Sequence, residues 1–122
     1  MTIIRVKDLI IRTFIGFKPH EKKYKQDVII QLEVDVDTSM VESNDDPETV
    51  GFYDYRNMSK SVTKLVEESR FDLLEALTRK VLDEIMGNPM VRKARVEIEK
   101  PQALRYSRTV SVEMSAERNS GS

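Results

Sequence analysis

Lys100 ends the run Val96-Glu97-Ile98-Glu99-Lys100, which alternates apolar and charged residues and is stopped by Pro101. A lysine held at the rigid end of a strand is a candidate acid/base. Partial loss of its hydration shell disfavours the ammonium, draws its pKa toward neutrality and lets it exchange protons at cellular pH. For a lone lysine, the simpler account is a solvated side chain at a strand end. Few other residue types are available for chemistry. Cysteine is absent and His20 is the single histidine, which excludes a disulfide framework and a thiolate zinc site and argues against an all-protein transition-metal site. Catalysis has to come from Lys, Glu, Asp, Tyr, Ser or Thr. Glu75 is ambiguous on spacing alone, since Asp72-Leu73-Leu74-Glu75 reads as a capping box in which the glutamate reaches back to a backbone N–H.

The elements that position these residues are legible in the periodicity. Residues 3–15 and 27–37 read as strands; in the second, Ile30, Leu32, Val34 and Val36 share one face while Gln31, Glu33, Asp35 and Asp37 share the other. Gly16 to Lys25, with Pro19, reads as a turn-rich loop joining them in an antiparallel hairpin, and Thr38 to Gly51 as a connecting loop. Tyr55, Met58, Val62, Leu65 and Val66 recur at helical spacing behind Asp54, a capping residue. Leu73, Leu74, Leu77, Val81, Leu82 and Ile85 form a second helical stripe, ended by Gly87 and Pro89. Alternation returns at Ala94, Val96 and Ile98 and again at Val110, Val112 and Met114.

This order predicts an α+β domain, ββααββ, with a four-stranded antiparallel sheet whose apolar face carries two helices and whose other face is charged. One domain over residues 1–117 and a flexible tail over 118–122 are expected. The open sheet leaves two edges, and pairing them between subunits would close a ring around a solvated interior.

Composition limits the partners. Hydrophobic residues make up 39% and charged residues 34%, and 20 Lys+Arg stand against 21 Asp+Glu, so a membrane protein is excluded and no global field draws in nucleic acid. Any anion site has to be local. The N-terminus alternates and carries Arg5, Lys7, Asp8 and Arg12, unlike a signal peptide or transmembrane helix, and the expected location is the cytoplasm.

Five separated features share one resemblance: Gly16-Phe17-Lys18-Pro19-His20-Glu21, Gln26, Tyr55, Arg70-Phe71-Asp72-Leu73-Leu74-Glu75 and Glu99-Lys100. In order and spacing the chain resembles the dihydroneopterin aldolase family over roughly residues 3–117. Ile3-Ile4-Arg5, Arg12-Thr13-Phe14-Ile15-Gly16 and Ala103-Leu104-Arg105-Tyr106 followed by Val110-Ser111 resemble its branch of dihydroneopterin triphosphate 2′-epimerases. The aldolases carry Lys-Pro-Gly-Ala where this chain has Lys100-Pro101-Gln102-Ala103, so Pro101 is similar to the aldolases and Leu104-Arg105-Tyr106 to the epimerases.

The resemblance implies the tunnelling fold (T-fold), in which subunits join edge to edge into a barrel as a tetramer or octamer, with active sites between neighbours. It also implies a small-molecule pterin substrate and no metal or organic cofactor. Lys100 is then the proton carrier, Glu21 holds a hydroxyl or water beside the substrate's side chain, and Tyr55 presents its hydroxyl to a neighbour's site. Glu75, with Leu74, anchors the pterin, and Arg105 belongs to a basic segment that meets the triphosphate. Lys18, Lys22, Lys23, Lys25 and Arg108 are the other cations that could converge there. Gln26 is expected to shape the loop, and His20 to lie at the surface. The chemistry implied is a retro-aldol cleavage, releasing an aldehyde in an aldolase and re-forming the bond on the aldehyde's other face in an epimerase. A non-catalytic assembly that keeps the barrel is the alternative from another class.

Overall fold

The alternation of Val28, Ile30, Leu32, Val34 and Val36 makes the strand they occupy the centre of the molecule, since all five side chains are buried. In the structure, a computed structural model that describes residues 1–119, this is β2 (Gln26–Val36). It is flanked by β1 (Thr2–Ile15) on one side and β4 (Val91–Pro101) on the other, and β4 is followed outward by β5 (Thr109–Glu117), all antiparallel. A further strand, β3 (Arg70–Phe71), runs parallel to the end of β1 and gives the sheet order β3-β1-β2-β4-β5. The sheet is therefore five-stranded and mixed, not the four-stranded antiparallel sheet expected. Two residues are too few to show a period. What makes them a strand is a distant partner, the Gly16 N–H that donates to the Phe71 carbonyl at 3.0 Å.

Helices α3 (Tyr55–Glu67) and α4 (Leu74–Met86) cover one sheet face, as the stripes predict. Met58, Val62 and Val66 from α3 and Leu77, Val81, Leu82 and Ile85 from α4 meet the buried row of β2 and Val96 and Ile98 of β4. Each such side chain taken out of water contributes about 1.5–3 kcal/mol before entropy is counted. Asp54 caps α3 as expected, accepting from the Asn57 N–H at 3.0 Å. Two short helices, α1 (Pro19–Lys23) and α2 (Ser39–Ser43), occupy segments expected as loops. In α1, Pro19 supplies a ready-made helical φ at a position with no intrahelical N–H bond to lose.

The opposite sheet face is polar. A row of charges crosses it from rim to rim: Arg5 of β1 bonds Glu33 of β2 at 2.8 Å, Arg95 of β4 meets the other Glu33 oxygen at 3.5 Å, and Arg95 also pairs with Glu113 of β5. Outside these four strands, β1 from Thr2 to Thr13 and the whole of β5 pair with no further strand among the described residues. Position 118 was expected to begin a loose tail. Instead the Arg118 guanidinium donates to the Met86 carbonyl at 2.6 Å and the Val91 carbonyl at 3.1 Å; residues 120–122, the rest of that tail, lie outside the described residues.

Candidate active site

The loop leaving β1 turns at Gly16, whose φ of +124° suits glycine, and a Cβ built there would fall on the Glu21 carboxyl group. That close approach seats Glu21. Expected in an exposed loop, it is instead a buried residue of α1. Its carboxylate accepts from the Lys18 N–H at 3.4 Å, from Gln26 Nε2 at 3.2 Å and from Lys100 Nζ, which arrives from the end of β4, 79 positions away. Gln26 Nε2 also donates to the Ile15 carbonyl at 3.0 Å, so it ties Glu21 to β1 and shapes the loop as expected. The side chains of Lys100 and Glu21 retain only 15% and 9% of their exposure. Lys100 is thus withdrawn from water, but into a carboxylate partner, not the uncompensated environment that its strand-end position suggested.

Burial by itself would raise the pKa of Glu21. Hydrogen bonds from Lys100, Gln26 and the Lys18 backbone, with the ammonium charge, outweigh it and hold the carboxyl below its ordinary value of 4.5. A carboxylate whose folded pKa is depressed contributes stability that is present above the unfolded pKa and is lost as pH falls through the folded one. Thermal melts of the wild-type protein are therefore expected to be lowered on acidification below pH 4.5. The Glu21→Gln variant should lose part of that acid dependence, and identical acid limbs for the two proteins would refute the assignment.

Glu75 stands at the first turn of α4, exposed, and its carboxylate has no partner among the described residues. The capping box is not formed: Leu73 is the N-cap residue and has no side-chain bond, while Asp72 is taken by Lys22 Nζ at 3.0 Å. That ion pair fastens α1 to the approach of α4, and β3 fastens the same approach to Gly16, so Glu75 begins its helix at the corner that holds Glu21 and Lys100. Leu74 is different. Its side chain is in the core and its carbonyl accepts from Thr78 Oγ1 at 2.8 Å, so only its backbone N–H, one of those a first turn leaves free, is available to a ligand.

Tyr55 fits the apolar spacing of its helix and was expected to present its hydroxyl to a neighbour's site; it is 51% exposed. The buried tyrosine is Tyr53, whose hydroxyl donates to Met58 Sδ and whose pKa burial pushes up to about 12, so it stays protonated at neutral pH. Helix α3 has 13 residues and is ~20 Å long, and its far end lies against the site corner through the bond from Thr13 Oγ1 to the Val66 carbonyl at 2.6 Å. Tyr55 is therefore remote from Lys100 of its own chain. Arg105 lies in the exposed turn joining β4 to β5, its guanidinium 5.4 Å from the Tyr106 ring centroid; His20 is at the surface as expected. Gln102, at the place where the aldolases carry glycine, has φ +59°, the left-handed conformation that glycine takes without strain.

Sequence reasoning missed the direct Glu21–Lys100 pair and the steric need for Gly16. The legible signal was Pro19 two positions before Glu21, a helix start in a segment taken as a turn.

An ammonium and a carboxylate paired at a sheet end, tied through β3 to a helix start where a second carboxylate is open, form a candidate acid/base site on an α+β scaffold. The chain belongs to the dihydroneopterin aldolase family, whose model matches residues 4–115. It is 45% identical to a dihydroneopterin triphosphate 2′-epimerase of Pseudomonas aeruginosa over 119 residues, covering 97% of this chain and 94% of that one. It is 39% identical to the protein of that name from Escherichia coli, covering 95% of each. The crystal structure of E. coli dihydroneopterin aldolase in complex with neopterin shares the fold, with a TM-score of 0.87 at 23% identity over 95% of this chain and 99% of that one.

Proposed function

We propose that the chain epimerises dihydroneopterin triphosphate at C2′, giving dihydromonapterin triphosphate. The observation that carries this reading is the buried Glu21–Lys100 pair at the corner that β3 and Asp72 tie to the approach of α4, where Glu75 is unpartnered among the described residues. Glu75 accepts hydrogen bonds from the amino and ring N–H groups of the pterin, helped by the Leu74 N–H. Lys100 passes the proton it shares with Glu21 to that carboxylate and takes the proton of the 2′ hydroxyl in its place. The bond between C1′ and C2′ then breaks, its electrons pass into the ring imine and C2′ becomes an aldehyde. When the aldehyde turns over in place and the bond re-forms on its other face, the 2′ centre is inverted, and the proton returns to the 2′ oxygen. The ring imine is the electron sink, so neither a Schiff base nor a cofactor is required.

Tyr55 of an adjoining copy completes the site. Its distance from Lys100 within one chain and the open rims of β1 and β5 both support this arrangement. Because β1 and β5 are antiparallel, copies joined β5 to β1 keep the alternation of direction all round a barrel, as the T-fold requires. Residues 1–117 form one unit of that barrel, which assembles as a tetramer or an octamer. Among the described residues no helix is long and apolar enough to cross a membrane, and the cytoplasm is the location that fits a pterin enzyme.

The experiment is chromatography of the products from phosphorylated and unphosphorylated dihydroneopterin. The epimeric pterin is expected. Hydroxymethyl-dihydropterin with glycolaldehyde would favour dihydroneopterin aldolase, a reading supported by Pro101 after Lys100 and by the family match. Neither product would revive a non-catalytic assembly. Glu75→Gln sets a donor against the pterin's donors, so it should weaken neopterin and monapterin forms alike, by roughly 10–100-fold, in a direct binding titration. A loss confined to one epimer would remove Glu75 as the anchor.

A further inference from the structure

The substrate assigned above carries a polyanionic tail, and its seat is argued here on that reading. Phe14 of β1 is the cross-strand partner of Arg70 of β3, and the guanidinium carbon of Arg70 lies 3.8 Å from the centroid of the Phe14 ring. On the other flank the register pairs Arg12 with Asp27 and Thr13 with Gln26, so Lys25 comes alongside Phe14, its Nζ 5.7 Å from the same centroid. Two cations thus lie within cation–π reach of one aromatic ring. Among the described residues, neither has a carboxylate partner, because the acids nearby are engaged. Asp27 is bonded to Arg12 at 3.2 Å, Asp72 to Lys22 at 3.0 Å, and Glu21 to Lys100. Arg70 and Phe14 line a cavity of about 140 Å³ together with Gly16, Glu21, Lys22 and Asp72, so the Arg70–Phe14 end of the row opens on the carboxylate proposed to act on the substrate's side chain.

We propose that the row Arg70–Phe14–Lys25 is the subsite for the triphosphate. Arg70 offers a planar fork of N–H donors that matches phosphate oxygens two at a time, Lys25 a compact point charge for the adjacent phosphate, and Phe14 a rigid platform that fixes the guanidinium. Arg105, the cation expected from sequence for this task, stacks instead beside Tyr106 in an exposed turn and is secondary.

The test uses the full-length protein and two probes, the substrate pair and inorganic tripolyphosphate. Arg70→Gln and Lys25→Gln are each expected to raise KM for dihydroneopterin triphosphate at least about tenfold more than KM for unphosphorylated dihydroneopterin, with Arg105→Gln doing less. Tripolyphosphate should compete with the phosphorylated substrate in wild type, lose most of that competition in Arg70→Gln and recover part of it in Arg70→Lys. Retained neopterin binding certifies that the variants are folded. Equal effects on both substrates, undiminished competition in Arg70→Gln, or a larger effect of Arg105→Gln would overturn the subsite. If the wild-type protein neither bound nor turned over any pterin, the epimerase reading would fall. The anion subsite would then be judged by tripolyphosphate binding alone, supported by loss in Arg70→Gln and overturned by its absence in wild type.

Discussion

Lys100→Met is expected to lower kcat by about 10²–10⁴-fold while leaving neopterin affinity within a few fold, because proton transfer by a positioned side chain is what this substitution removes. Methionine keeps the length and the apolar stem, so the end of β4 has no reason to move. What it cannot do is hold the Glu21 carboxylate, which would retain only Gln26 and the Lys18 N–H in a site where it is 9% exposed. Single-turnover kinetics with a separate binding titration divide the two effects. An unchanged kcat would dismiss Lys100 as the proton carrier. The same variant tests the proposed seam between copies. Mixed after dissociation with Tyr55→Phe subunits, it should regain activity, because some sites then combine an intact lysine with a neighbour's intact phenol. No recovery from subunits shown to have mixed would return Tyr55 to its own chain, where the length of α3 keeps it remote.

Gly16→Ala is expected to be nearly as damaging without touching any ionisable group. The new methyl group falls where the Glu21 carboxyl now lies, and φ +124° is a conformation that an L-residue adopts only with strain of about 1–3 kcal/mol. Either the carboxylate is expelled from its bonds to Lys100 and Gln26, or the turn opens and breaks the bond from the Gly16 N–H to Phe71. Both routes separate the acid/base pair from the start of α4. Activity should fall by roughly 100-fold, and melting temperature should fall with it. In a Glu21→Ala background the steric part disappears and only backbone strain is left, so adding Gly16→Ala should cost less stability there. Equal costs in both backgrounds would mean that the methyl group does not meet Glu21.

Legibility in the sequence followed the range of the forces involved. Strand β2 could be read because its burial is a strict period of two, and α3 because Asp54 and the row Met58, Val62, Val66 are local signals. The site corner was harder. Glu21 and Lys100 were each marked as candidates, yet their pairing depends on the turn at Gly16, the tether through Gln26 and the register of β2 with β4, none of which is a periodicity. β3 is a strand because it pairs with the distant end of β1 and Gly16, and Arg118 is fixed because the carbonyls of Met86, Asn88, Val91 and Arg92 accept from it. Tyr55 shows the limit of spacing alone. It matches the spacing of the stripe, but at the first position of a helix the side chain has no preceding turn to lie upon and points outward.

The row Arg5, Glu33, Arg95, Glu113 alternates in sign across four strands, so it starts positive at one rim of the sheet and finishes negative at the other. An even number of alternating charges has a direction, as a bar magnet does. A newcomer arriving in the same sense offers minus to plus at the seam. One arriving reversed offers plus to plus or minus to minus, and like signs side by side on neighbouring strands repel. In the edge-to-edge ring proposed above, the wet face therefore favours one sense of joining over the inverted one.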